Sequence, residues 1–400
     1  MEHQAIAAGV EEDNNVQGMY LYLLCAFLAM EPLDSLLALA RECGGGSITE
    51  EVQRFIWQNC VSEADSKKGH VPYIMNFLKK VITEVESAGG EVLDELYEPL
   101  SLYLCSRKDA NSGEGNTWIV KYISFISHDG ALRLVVPLRC SLNILDGDTG
   151  CFLWPSSLFM SEFILSHREL FANKSCFEVG SGVGLVGVCL EHVNASEVIL
   201  TDGDLSTLSN LKLNLKMNQS RETDLVKCIH LPWESAEHIH LQEFTPDLIL
   251  GADIVYDPSS LPHLVRLLSS LLQRRKTQNR LQDSNGAECH PSLRSIKGDF
   301  DEAEDSTCSC RNGAHTRIPS LEVPDAEFLS HALESGPVAF IACVVRNVNT
   351  FEYFIDLVWR AKLAIRELTK ITRQATLLPY MKAYPRSDVK LLLISRWQKS

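Results

Sequence analysis

The run Phe177-Glu178-Val179-Gly180-Ser181-Gly182-Val183-Gly184-Leu185 constrains the fold of this chain more than any other stretch. An apolar strand pattern enters three alternating glycines, and an apolar helical pattern leaves them. Glycine lets the backbone turn tightly and lets a ligand come close to it. The pattern suits the first half of a nucleotide-binding βαβ unit, and it also suits a plain strand-to-helix turn. Glu178 supplies a carboxylate at the strand end. A dinucleotide site offers helix N–H groups to a pyrophosphate. An acid beside the turn suits a ligand with positive charge and no phosphate.

Two later strand ends point to the same place. Val198-Ile199-Leu200-Thr201-Asp202 reads as a second short buried strand that ends in an acid. Asp202 follows the glycine turn by about 20 residues, the spacing at which an acid meets a ribose hydroxyl pair in βαβ folds. It could instead cap the helix that starts near Leu205, but Asp204 is better placed for that and leaves Asp202 to a ligand. A third buried strand, Pro246 to Ala252, delivers Asp253 and Tyr256 to the loop beyond its end. Open α/β sheets bind ligands outside the carboxyl ends of their strands, so the three acids converge on one crevice. S-adenosylmethionine has the positive charge, the ribose and the lack of phosphate that such a crevice suits. For Asp253 and Tyr256 the plain alternative is a loop acid capping the next helix with a tyrosine packed beside it.

The rest of the chain alternates in kind. Residues 16–105 show helical spacing, broken at Cys43-Gly44-Gly45-Gly46 and at Ser87-Ala88-Gly89-Gly90, with Ser47-Ile48-Thr49-Glu50-Glu51 as a capped helix start. The polar stretch Ala110–Asn116 marks a boundary, so residues 1–115 are expected as an N-terminal helical region and 116–400 as a second domain. Thr117–Ile126 and Leu132–Leu138 read as a β-hairpin, followed by a helix from about Ser156 to His167. Parallel strands are expected at Val226–Leu231, Asp247–Ala252 and Val338–Val345, and an antiparallel closing strand at Val389–Ile394. Helices are expected between them at Leu205–Asn218, Pro258–Gln273 and Asn349–Leu368. This alternation implies a doubly wound, Rossmann-like α/β sheet. Residues 275–336 break the rhythm and are rich in polar and charged side chains, so they are expected to be a disordered insertion or a lid.

Composition narrows the function. The net charge of −15 argues against non-specific nucleic-acid binding, which needs Lys and Arg to neutralise phosphates. Thirteen cysteines lie scattered, several of them inside apolar runs (Cys25, Cys176, Cys189, Cys343), as suits free thiols in a reducing compartment. No basic segment opens the chain, so no secretory signal is expected. Met19 to Met30 is apolar but falls short of the ~20 residues that span a bilayer, and reads as a buried helix. Cys308-Ser309-Cys310 with His315 lacks a second metal-ligand pair, so no metal is expected.

These residues together resemble the family-16 seven-strand, S-adenosylmethionine-dependent protein-lysine methyltransferases. The marks are Glu178 to Gly187, Thr201-Asp202, Asp253-Ile254-Val255-Tyr256, Thr149-Gly150-Cys151-Phe152-Leu153-Trp154 and Leu231-Pro232-Trp233. Leu93 to Glu98 and Phe340 to Asn347 resemble segments of the branch that methylates elongation factor 2. Pro155 departs from the Asp often found after the tryptophan in that family. The resemblance implies a seven-strand sheet with an antiparallel last strand and a cytoplasmic, monomeric enzyme with a protein substrate. It implies S-adenosylmethionine as cofactor, held by Trp154, Glu178, Gly180, Ser181, Gly182, Gly184, Asp202, Trp233 and Ala252. Asp253 would hold the substrate ammonium and Tyr256 would wall the lysine channel. A methyltransferase for another protein or a small molecule, and a non-catalytic cofactor-binding interaction protein, stay open as alternatives.

Overall fold

The structure is a computed structural model that describes residues 17–61, 71–106, 118–127, 130–142, 149–218, 225–236, 241, 243–273, 333, 336–369 and 376–397. The boundary stretch at 110–116, most of the insertion at 275–336 and the Cys308, Cys310 and His315 cluster lie outside the described residues.

Five helices come first: α1 (17–28), α2 (Leu33–Cys43), α3 (Glu50–Ile56), α4 (Val71–Ser87) and α5 (Asp94–Ser106). Residues 17–28 contain the buried Leu23, Cys25, Ala26 and Phe27, as expected of an internal helix. α2 stops at the first glycine run and α4 at the second. The Thr49 side chain accepts the Val52 N–H at 3.4 Å and caps α3 within the expected capped start. α4 turns Ile74, Phe77, Leu78, Val81, Ile82 and Val85 inward, the spacing of a helix buried along one stripe.

The hairpin strands β1 (Trp118–Ile126) and β2 (Leu132–Ser141) pair antiparallel, and β2 runs three residues past its expected end. The remaining strands form one sheet: β3 (Ser175–Val179), β4 (Glu197–Asp202), β5 (Val226–His230), β6 (Leu248–Ala252), β7 (Val338–Val344), β8 (Leu363–Glu367) and β9 (Val389–Arg396). Their order is β5-β4-β3-β6-β7-β9-β8, and β9 runs antiparallel to both of its neighbours. The first five strands are joined by parallel pairings. The chain leaves β3 in one direction across the sheet and returns to fill the other side. Ligands bind at such a switch point, outside the strand ends. Helices α6 (Pro155–Ser166), α7 (Arg168–Phe171), α8 (Leu185–His192), α9 (Leu205–Asn218), α10 (Leu261–Leu271) and α11 (Val348–Arg360) complete the domain.

One expected element is corrected. The helix expected over Asn349–Leu368 ends at Arg360, and Leu363–Glu367 is a strand. Lys362 takes a positive φ of 57° and turns the chain without a glycine or proline to announce it. Leu363 and Ile365 then face the core in strand alternation against β9.

The helical region and the sheet share one core, from Leu23 through Phe163 to Leu393. Polar bonds tie residues 377–386 to the hairpin, the helical region and α6. The Ser124 N–H donates to the Tyr380 hydroxyl at 2.8 Å, and the Ala383 N–H donates to buried Glu31 at 3.2 Å. Glu162 of α6 accepts the Leu377 N–H at 2.7 Å and Arg386 Nε at 3.0 Å. A ladder of asparagines on α9 holds the hairpin. Asn214 accepts the Arg139 N–H at 2.7 Å and donates to the carbonyls of Arg139 and Val183, while Asn218 donates to Pro137.

Candidate active site

The carboxyl ends of β3, β4 and β6 open into a crevice of ≈ 590 Å³. Its walls include Thr149, Gly150, Trp154, Gly180, Gly182, Asp202, Trp233, Ala252, Asp253, Tyr256 and Arg346. The turn after β3 is shaped by three glycines at positive φ: Gly180 (67°), Gly182 (52°) and Gly184 (87°). A Cβ on Gly180 would lie 2.9 Å from Ile254 Cγ2 and 3.5 Å from the Trp233 ring, filling the cradle. A Cβ on Gly184 would lie 2.3 Å from Leu211 Cδ1, so this glycine serves the packing of α9.

Asp202 lines the crevice at the end of β4, but it is less free than expected. Its Oδ2 accepts the Gly182 N–H at 3.1 Å and its Oδ1 accepts the Asp204 N–H at 3.1 Å. The carboxylate thereby ties the glycine turn to the β4 loop. Burial pushes its pKa above the ordinary aspartate value, against the pull of those backbone bonds. Asp204 caps α9 as expected, accepting the Thr207 N–H at 2.7 Å. Glu178 is 2% exposed and lies behind the turn rather than in the crevice wall. Its Oε2 has no hydrogen-bond partner among the described residues, and burial holds its pKa well above the usual range, with Ser181 pulling the other way. Ser181 and Gly184 are likewise outside the wall, and Ser181 instead accepts the Thr201 N–H at 3.1 Å.

Trp154 and Pro155 open α6, with the proline at the first helical turn, where a missing N–H costs nothing. The Trp154 Nε1 donates to the Thr149 carbonyl at 2.9 Å, which folds the Thr149–Trp154 segment over the crevice. Asp253 follows β6 at a φ of 60°, with its N–H donating to the Ala342 carbonyl of β7. Both of its carboxylate oxygens accept from Arg346, at 2.8 Å each. The Arg346 guanidinium lies 5.0 Å from the Trp154 ring centroid. The sequence points to Asp253 as the acid that faces the substrate ammonium; the arginine that pairs with it stands 93 positions later.

Among the described residues, the crevice wall carries five carboxylates, Asp202, Asp204, Glu234, Asp253 and Asp257, against the single cation Arg346. That excess of negative charge favours cationic ligands. Among the described residues no cluster of His, Cys, Asp or Glu could hold a metal ion.

Residues 137–281 match the family model for lysine methyltransferases. They are a lysine methyltransferase domain.

The chain is 28% identical over 270 residues to human protein-lysine N-methyltransferase EEF2KMT, covering 64% of this chain and 77% of that one. It is 27% identical over 242 residues to protein-lysine N-methyltransferase EFM3 of Chaetomium thermophilum, covering 56% and 71%. Among solved structures it overlaps magnesium protoporphyrin IX methyltransferase from Synechocystis at a TM-score of 0.32 and 8% identity, covering 61% of this chain and 79% of that one. That overlap is too loose to add to the strand order.

The methyltransferase uses S-adenosylmethionine, and the residues present fit it. The glycine cradle is open where a side chain would close it, Asp202 stands at the end of β4, and the wall is acidic. The unpartnered Oε2 of Glu178 is one acceptor this domain leaves unused beneath the turn. Asp204, Thr207, Glu234, Asp257 and Ser260 also line the wall, beyond the residues to which the sequence points. Asp257 was legible as the residue after Tyr256, but Thr207 and Ser260 carry no signal short of the fold.

Proposed function

We propose that this methyltransferase transfers methyl groups to a lysine of translation elongation factor 2, as a monomer in the cytoplasm. The supporting observation is the acidic crevice ending in Asp253 and Tyr256, on a domain whose matched relatives include EEF2KMT across most of their length. When bound, S-adenosylmethionine supplies an electrophilic methyl on a sulfonium. In this reading Trp154, Gly180, Gly182, Asp202, Trp233 and Ala252 hold it, with Glu178, Ser181 and Gly184 shaping the turn from behind.

The protein must then draw in a lysine, seat its amine and let the proton go. The carboxylates of the crevice attract the ammonium. Asp253 accepts a hydrogen bond from the amine, and the proton leaves through water. Tyr256 is 59% exposed at the mouth and walls the lysine channel. Enclosure by the crevice, then the charges of Asp202, Asp257, Glu234 and Asp253, push its pKa above the ordinary tyrosine value. Tyr256 therefore stays a phenol at neutral pH and acts through its hydroxyl, not as a phenolate base.

The test is mass spectrometry of elongation factor 2 after incubation with the purified chain and labelled S-adenosylmethionine. A labelled lysine is expected. Transfer to other extract proteins but none to elongation factor 2 would replace this substrate.

A further inference from the structure

The Asp253–Arg346 pair is built with more care than a loop acid beside a helix requires. The Asp253 side chain is 4% exposed and that of Arg346 is 43% exposed, so the guanidinium reaches down from the crevice edge onto a buried carboxylate. Two parallel N–H···O bonds of 2.8 Å join them. Backbone bonds fix both ends: the Asp253 N–H on Ala342, and the Arg346 N–H on Val344 at 3.0 Å. The Trp154 ring lies beside the guanidinium.

A carboxylate has about four acceptor positions. The guanidinium fork takes two of them and sets the plane of the other two. An arginine is always charged and planar, so the pair is a charge-assisted, bidentate contact of fixed geometry. The pair is also close to neutral as a whole, so Asp253 contributes little to drawing the ammonium in.

We propose that Arg346 is a positioning residue: it holds the Asp253 carboxylate in one plane, so that Asp253 receives the substrate amine as a fixed hydrogen-bond acceptor. This rests on the lysine-methylation reading above. The neighbouring carboxylates Glu234 and Asp257 then carry the attraction for the ammonium.

The test uses the full chain, labelled S-adenosylmethionine and elongation factor 2. If the parent labels another lysine protein instead, that protein becomes the acceptor, and the substrate reading fails without touching Arg346. In R346A, kcat should fall about 100-fold, the cost of a reacting group misplaced by an ångström, with the acceptor KM near that of the parent. Guanidinium chloride, well below denaturing concentration, should restore part of kcat, and methylammonium should not, because only the fork makes two parallel bonds. R346K should stay near R346A for the same reason. Thermal melting gives a readout apart from activity: R346A should melt below the parent, and R346A/D253N should recover most of the loss by removing the stranded charge.

Calorimetric titration of S-adenosylhomocysteine should show the parent's affinity in R346A. A loss carried by that affinity would make Arg346 a cofactor ligand and overturn the proposal. Parent-like kcat in R346A would overturn it too, as would a folded, slow R346A that guanidinium leaves unchanged.

Discussion

Asp202 serves two purposes at once, and a single substitution separates them. Its oxygens hold the Gly182 and Asp204 amides, so Asp202→Ala should cost about 1–2 kcal/mol of folding stability. The same change removes a charged acceptor at the cofactor ribose, worth about 1.5–3 kcal/mol, or about 10- to 150-fold in affinity. Urea unfolding and calorimetric titration measure the two losses separately. Unchanged affinity would remove Asp202 from the cofactor site and leave it a loop staple. Tyr256 offers the complementary case. Tyr256→Phe keeps the channel wall but loses the hydroxyl, so cofactor affinity should hold while kcat falls about 10- to 100-fold. An unchanged kcat would make the ring alone the contribution of Tyr256.

At the scale of elements, the hairpin depends on α9 through Asn214, a fully buried asparagine that satisfies both backbone groups of Arg139 and the carbonyl of Val183. Asn214→Leu should therefore destabilise the protein by about 2–3 kcal/mol despite similar size, since the Arg139 N–H and the Val183 carbonyl lose their partner while the Arg139 carbonyl keeps Asn210. A urea midpoint close to that of the parent would show that water or a shifted strand replaces the amide. Asn214 also shows what a single sequence conveys. Strands ending in Asp202 and Ala252 were legible because apolar runs and terminal acids are local signals. The asparagine ladder was not, because i, i+4 polar residues on a helix look like a solvated face. The strand at Leu363–Glu367 was missed for a related reason: Lys362 turns the chain with a residue that ordinarily favours helix. Asp253 was readable as a residue of the crevice, but not as half of an ion pair, since Arg346 arrives from another strand.

Across the whole molecule, the polar bonds to residues 376–388 carry a pH dependence. Glu31 is buried, and burial pushes its carboxyl pKa up, with the Ala383 N–H and Lys121 pulling it down. A carboxyl whose folded pKa is raised gives stability that is complete below the unfolded pKa. That stability is lost as pH rises through the folded value. Glu31→Gln keeps an acceptor for Ala383 and removes the charge, so it should be at least as stable as the parent at pH 8 and lose that advantage at pH 5. Urea unfolding at the two pH values checks the sign; a variant weaker at pH 8 would show the charge to be well compensated. Glu162, by contrast, has a charged partner: Arg386 pairs with it in a buried setting. Arg386→Ala should cost about 3–5 kcal/mol by stranding that carboxylate, and a loss below about 1 kcal/mol would place the pair in water.

Strand β9 is the last described element in the chain, yet it lies between β7 and β8. During synthesis, everything up to Asp388 can emerge from the ribosome without completing the sheet. β7 has an open edge and β8 has no sheet at all until Val389–Arg396 arrives and threads antiparallel between them. Glu31, Ser124 and Glu162 wait as long for Ala383, Tyr380 and Arg386. The nascent chain therefore passes through a long interval with an exposed apolar strand edge and unmatched internal carboxylates, a form that holding chaperones recognise and that ribosome stalling before Val389 would prolong.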